Sequence, residues 1–188
     1  GGKGMLYEGG VRVPYVFRWP GKIPGGTLCD QPINSVDLYP TLLEVAGVKP
    51  AADYPLDGVS YFKALTSGGK APLNRDAIFW HFPGYLGAGV GSWRTTPGGA
   101  IRSGDWKLQE YFEDGRLALY NLRDDLSQKN NLAQKQPDKA KELHARLAAW
   151  RQEIKAPMPT KNEGGPVTES TKGKGKGKGK GKKKAAAD

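Results

Sequence analysis

The chain has 188 residues, 37% hydrophobic content and a formal net charge of +10, with a mean hydropathy of −0.61. Its length suits one domain of ordinary size, and its low hydropathy implies that part of it does not fold. No apolar run approaches the ~20 residues of a membrane-spanning helix, and Cys29, the single cysteine, excludes an internal disulfide and a Cys-x-x-Cys motif.

The N-terminal stretch GGKGMLYEGGVRVP sets a lysine between glycines, five residues ahead of Glu-Gly-Gly-Val-Arg. It reads as a glycine-rich loop. Residues 13–20, VPYVFRWP, are apolar, aromatic and β-branched between prolines, which predicts a buried strand. GKIPGG then reads as a turn. Residues 35–47, SVDLYPTLLEVAG, predict a helix capped by Ser35 or Asp37, with Pro40 in its first turn and Gly47 ending it in the left-handed conformation. Leu38, Leu42, Val45 and Ala46 share one face, which is expected to pack on the preceding strand. Strand, turn and helix make half of an α/β layer.

A short helix is expected around residues 61–65, closed by glycines. Residues 77–85, AIFWHFPGY, predict a strand running into a loop, and residues 86–99 read as loop. Residues 100–121 then predict antiparallel strands at 100–102, 106–112 and 117–121, with Ser-Gly-Asp and Glu-Asp-Gly as the turns. Residues 123–133 form a polar turn punctuated by leucines. Pro137 opens a last helix, in which Leu143, Leu147, Trp150 and Ile154 recur at helical spacing, and Pro-Met-Pro at 157–159 ends it.

From about Thr160 onward the chain is expected to be disordered. Residues 172–188 hold eight lysines and one aspartate, a net of +7, which leaves +3 for residues 1–171. The basic character therefore belongs to a Lys-Gly tail and not to the folded part. The predicted fold class is α/β: residues 1–50 the end of an α/β domain, 51–156 a subdomain of antiparallel sheet plus helix, and 157–188 a disordered basic tail.

Four blocks in order carry a resemblance: GKGMLYEGGVRVP, VDLYPTLLEVAGV, LDGVS, and AIRSGDWKLQEYFEDGRLALYNLRDDLSQKNNLA. Together they resemble the sulfatase family, arylsulfatase-type, of the alkaline-phosphatase-like superfamily, over residues 1 to about 155. Ser127-Gln128 stands where the family commonly has an acidic and a polar residue. The resemblance implies a chain that is the C-terminal third of a sulfatase, hydrolysing aryl or carbohydrate sulfates. It further implies calcium held by Asp and Asn side chains upstream of Gly1. The nucleophile would be a formylglycine matured from an upstream Cys/Ser-x-Pro-x-Arg motif. Cys29, in LCDQP, does not match that motif. The isolated chain is accordingly expected to be inactive. By family habit the parent is exported to the periplasm or secreted, and this chain shows no signal peptide.

By the same resemblance, Lys3 is the lysine that reaches the sulfate group. An ammonium with three donors suits a sulfonyl group whose charge redistributes as the S–O bond breaks. The plainer reading is a solvated loop lysine. Glu8, Gly9, Gly10 and Arg12 read as structural, with Glu8 and Arg12 paired and the glycines supplying special backbone angles. His81 is the candidate substrate contact; its plainer reading is a histidine hydrogen-bonded at a strand end. Trp93, Arg94 and Arg102 line the same region or serve only structural contacts. His144 reads as a surface residue.

The expected partner is a sulfated small molecule or polysaccharide. Two alternatives stand beside it. One is a phosphodiesterase or phosphonate hydrolase of the same superfamily. The other is a polyanion-binding module acting through the tail. Nucleic acid is disfavoured because no aromatic residue is interleaved with the lysines for base stacking.

Overall fold

Alternation of apolar and polar residues in the second half of the chain produces the sheet that organises the molecule. In the computed structural model, which describes residues 2–87, 93–161 and 163, four antiparallel strands lie in the order β1 (Ile78–Phe82), β4 (Gly98–Ser103), β5 (Trp106–Tyr111) and β6 (Leu117–Asn121). The register aligns Phe79, Ile101, Leu108 and Leu119 in one row across the sheet. Side chains alternate along each strand, so this row marks one face. Against it lies helix α4 (Pro137–Glu153), which begins with proline at its first turn where no N–H is required. Leu143 and Leu147 of α4 are fully buried with Ile101, Leu108 and Leu119, and each such side chain contributes about 1.5–3 kcal/mol of burial. Trp150 stacks on Phe79 with ring centroids 4.8 Å apart. The expected contribution of Ile154 is not made: it lies just past the helix and is 47% exposed.

The other face of the sheet carries Trp80, Ala100, Arg102, Lys107, Gln109, Ala118 and Tyr120. It receives the N-terminal loop: Tyr7 packs on the cluster formed by Ala118, Tyr120 and Leu122.

The middle of the chain is held by one carboxylate. A single 3-10 turn (Ser35–Asp37) precedes α2 (Leu38–Ala46), and Gly47 closes the helix at φ 67°. The cap is Asn34, whose side chain accepts from Ser35 N, while Asp37 accepts from Asn34 N at 2.6 Å. Asp37 is fully buried and also takes Val59 N at 3.0 Å and both Arg75 amino groups at 2.6 and 2.8 Å. Gly58 is required beside it, because a Cβ there would lie 2.2 Å from Val36 O. Tyr61 N donates to Thr41 Oγ1 at 3.1 Å just before α3 (Phe62–Thr66), which ends at Gly68 and Gly69, both with positive φ.

Three expectations are corrected. Residues 13–20 form no strand; Val13 is 63% and Val16 91% exposed. An extended segment becomes a strand only when a neighbour takes its backbone hydrogen bonds, and no described strand runs beside it. Consequently α2 has no strand to pack on. Leu38, Leu42 and Val45 are exposed, and the buried residues of α2 are Pro40 and Thr41. Finally, the segment read as loop at 86–99 contains a two-stranded ribbon, β2 (Leu86–Gly87) with β3 (Trp93–Thr95), and the first residues of β4; residues 88–92 of that loop lie outside the described residues. The expected disorder from Thr160 onward also falls almost wholly outside them.

Candidate active-site loop

Residues 2–11 form a tight loop because Met5 N donates to Gly2 O at 3.1 Å and the chain then turns into the single-turn helix α1 (Glu8–Val11). Gly4 sits at φ 85°, a conformation that a Cβ disfavours. Gly10 is needed for close approach rather than for an unusual angle: a Cβ there would lie 2.0 Å from Met5 O and 2.6 Å from Gly2 O. The fold of α1 is thereby pressed directly against residues 2–5. Lys3 itself is exposed at the crest of the turn.

Two sets of contacts fix this loop. On one side Arg94 Nη1 reaches Lys3 O at 3.4 Å, and Thr95 Oγ1 donates to Gly4 O. On the other side the loop is anchored to the sheet through Glu8, whose side chain is buried. Lys107 Nζ lies 2.7 Å from Glu8 Oε1 and is itself fully buried, with the Trp80 ring centroid 5.1 Å away. Arg102 Nη1 lies 3.7 Å from Glu8 Oε2, and that oxygen accepts no hydrogen bond among the described residues. Burial pushes the Lys107 ammonium below its ordinary pKa, and Glu8 opposes that shift. Glu8 N donates to Gln128 Oε1 at 2.6 Å, and Gln128 adopts φ 54° to present it.

The turn that carries Gln128 is built by side chains taking backbone donors. Asp125 accepts from Lys129 N at 3.1 Å and Asn130 N at 2.8 Å, which hold its carboxyl below the usual range. Asn131 Oδ1 accepts from Leu119 N and Ala133 N. The blocks at residues 3–14 and 100–133 therefore meet in space. Tyr7 adds a second link, with its hydroxyl 2.8 Å from that of Tyr111. Burial, and then that hydrogen bond, push the Tyr111 phenol well up. Burial and Tyr7 raise Tyr120 to about 12.

The pairing expected of Glu8 and Arg12 is not found. Arg12 is exposed, and only its backbone N reaches Glu8 O; the true partners lie some hundred residues further along the chain. Lys107 was legible only as an alternating polar position and Gln128 only as part of a polar turn, both of which ordinarily face water, while Arg102 was singled out without its partner Glu8. Arg94 and Arg102 both reach the Lys3 loop, while Trp93 packs on Tyr85 with ring centroids 5.1 Å apart.

His81 lies apart from this cluster. Its Nε2 meets Pro157 O at 2.7 Å, its ring tilts against Phe112, and Nδ1 is buried without a described partner. No hydrogen bond or ion pair joins it to Lys3 among the described residues. His144 is half-buried, with Nε2 3.1 Å from Glu110 Oε1, so it is not the surface residue its helix position suggested. Arg151 also pairs with Glu110. Burial pushes the Glu110 carboxyl up, but Arg151 and His144 outweigh that and hold it below its ordinary value. A carboxyl whose folded pKa is depressed stabilises the fold above its unfolded pKa and loses that contribution as pH falls through the folded pKa. Glu110→Gln is therefore expected to cost about 2 kcal/mol near neutrality. Its deficit relative to the native chain should shrink as the pH is lowered below the ordinary carboxylate range of about 4.3. Urea unfolding at a series of pH values reads this directly; a deficit independent of pH would contradict it.

Among the described residues no cluster of His, Cys, Asp and Glu has the makings of a metal site. Cys29 is exposed.

The braced glycine-lysine loop, the antiparallel sheet and the covering helix all fall within one region that matches a known sulfatase-type family. Residues 2–153 match the family described as N-sulphoglucosamine sulphohydrolase, C-terminal, and the chain belongs to that family. It is 37% identical over 161 residues to a sulfatase of Formosa agariphila, covering 79% of this chain and 28% of that protein. It is 31% identical over 121 residues to human arylsulfatase D, covering 64% of this chain and 20% of that protein. The chain thus spans under a third of the length of these relatives. Among solved structures, the fold matches Ps i-CgsB in complex with k-i-k-neocarrahexaose at a TM-score of 0.59 and 27% identity, over 76% of this chain and 29% of that one. It also matches BT4656 in complex with its substrate D-glucosamine-2-N,6-O-disulfate at a TM-score of 0.52 and 28% identity, over 63% of this chain and 24% of that one.

Proposed function

We propose that this chain is the C-terminal part of a sulfatase that hydrolyses sulfate esters on carbohydrate, and that Lys3 holds the sulfate group. The observation that carries the reading is the Lys3 loop itself. Its backbone is held by Arg94, Thr95 and Gln128, and its Glu8 side chain by Lys107, while the exposed lysine side chain has no hydrogen bond or ion pair among the described residues. A fixed ammonium there donates to sulfonyl oxygens and stabilises the charge that develops as the S–O bond breaks, with little reorganisation. The sugar ligands of the two solved relatives support the carbohydrate part of the reading. In this reading His81 reaches substrate only once its contact with Pro157 opens.

The exposed apolar side chains support membership of a larger protein. Val16 is 91%, Leu28 92% and Leu42 54% exposed, and residues 12–34 arch over a hollow of about 1530 Å³. Large apolar side chains left this exposed suit an interaction face. Calcium and formylglycine belong to the reading through the family resemblance alone. The described residues do not fit a calcium site, and Cys29 does not fit the nucleophile motif, so both are assigned outside this chain and no step is derived through them. Export to the periplasm or medium is likewise part of the proposal.

The test is sulfate release by the full-length protein from D-glucosamine-2-N,6-O-disulfate and from an aryl sulfate, beside a phosphodiester. Release of sulfate with little phosphodiester cleavage is expected, and residues 1–188 alone should be inactive. Preferential phosphodiester cleavage would move the function to the other branch of the superfamily. Turnover by residues 1–188 alone would refute an external nucleophile.

A further inference from the structure

We propose that Lys107 is a positioning residue for the Lys3 loop, acting through Glu8 across the sheet. The inference rests on the reading of Lys3 just given and assigns it a partner outside the loop.

The argument begins with the strand. In β5 the residues WKLQEY alternate, and Leu108 faces α4 within the core. Lys107 therefore points to the opposite face, where it pairs in register with Arg102 on β4 and Tyr120 on β6. A lysine with no exposed side-chain area is rare. An ion pair at such a place adds little stability over apolar side chains of the same size, because both charges lose their water. What the pair supplies is a fixed point. The Glu8 side chain is 7% exposed and is held by Lys107 at 2.7 Å, while its backbone N is held by Gln128 at 2.6 Å. One residue of α1 is thus pinned from two strand-connected elements.

That point is transmitted to Lys3 by contact. Gly10, in the same turn of helix, has no room for even a Cβ against Met5 O and Gly2 O. A shift of α1 must then displace residues 2–5, and Lys3 with them. On the far side the described residues that meet the loop are Leu86, Arg94 and Thr95 of the two-stranded ribbon. The sheet, through Lys107, is the firmer of the two supports.

The first experiment is amide hydrogen exchange on the full-length protein, comparing the native sequence with Lys107→Met. Because a lone buried Glu8 can unfold the protein, the double variant Glu8→Gln/Lys107→Met, which removes both charges and keeps the volume, is read alongside it. Exchange of residues 2–12 is expected to accelerate about tenfold or more, with the amides of β5 and β6 unchanged. Unchanged exchange at residues 2–12, or an equal loss of protection throughout the sheet, would overturn the proposal.

The second experiment is a cycle in the full-length sulfatase. The double variant is expected to lower kcat about tenfold, with KM within about threefold, and to cost less than about twofold in a Lys3→Ala background. Equal losses in both backgrounds would show that Lys107 does not act through Lys3. If Lys3→Ala itself leaves kcat intact, the reading of Lys3 fails on its own, and the exchange data still decide whether Lys107 positions the loop.

Discussion

Lys3→Ala in the full-length protein is expected to lower kcat for sulfate release by about 10²–10³-fold, the usual effect of removing one preorganised donor from a developing charge. KM is expected to change little, because the ammonium matters most when the S–O bond is breaking. The loop should keep its shape, since the described contacts that hold it run through its backbone, Glu8 and Tyr7, and none among the described residues uses the Lys3 side chain. Lys3→Arg is expected to recover little. A guanidinium is a planar fork with a longer reach and does not replace a compact ammonium on a tetrahedral group. Steady-state sulfate release for the three proteins decides the matter. A loss in Lys3→Ala below about threefold, the scale of a group that only adds general attraction, would remove Lys3 from the site.

The largest expected effect on stability falls elsewhere. Asp37→Ala is expected to cost about 3–5 kcal/mol, because it strands a largely buried guanidinium without its counter-charge. The carboxylate takes two hydrogen bonds from Arg75, one from Val59 N and one from Asn34 N, and the Arg75 side chain is only 15% exposed. Its loss releases three segments at once: the start of α2, the LDGVS stretch and the approach to β1. Asp37→Asn keeps the shape but must turn a donor toward Arg75, so it is expected to lose about 2 kcal/mol. Urea midpoints measure both. An Asp37→Ala chain within about 1 kcal/mol of the native one would mean that Arg75 finds water or another acceptor at little cost.

The same two clusters separate what was readable in the sequence from what was not. The strands at 106–111 and 117–121 and helix α4 were legible because each forms its own apolar pattern with local turn and cap signals. Glycine at position 47 and proline at 137 do their work within one turn of the chain. The strand expected at residues 13–20 failed for the converse reason. Its composition is right, but a strand is a relation between two segments, and this one has no partner among the described residues. The exposed face of α2 follows from that absence.

The active-site loop divides in the same way. Lys3, Glu8 and Gly10 stand out within fourteen residues of sequence, and the resemblance to sulfatases gives Lys3 its proposed role. Glu8 was expected to pair with Arg12 because a local partner is the only kind that spacing can suggest. Lys107 and Gln128 carried the opposite signal, since polar residues alternating in a strand or sitting in a polar turn ordinarily face water.

By itself, then, the amino-acid sequence determined the antiparallel strands, the last helix and the family, and it supplied Lys3 as the proposed sulfate contact, all from local pattern and motif. Only the tertiary structure decided that the second face of the sheet is a seat for the N-terminal loop. That outcome depends on desolvating Glu8 and Lys107 together across a sequence separation of 99, and a charge has no cost in a sequence until folding takes it out of water.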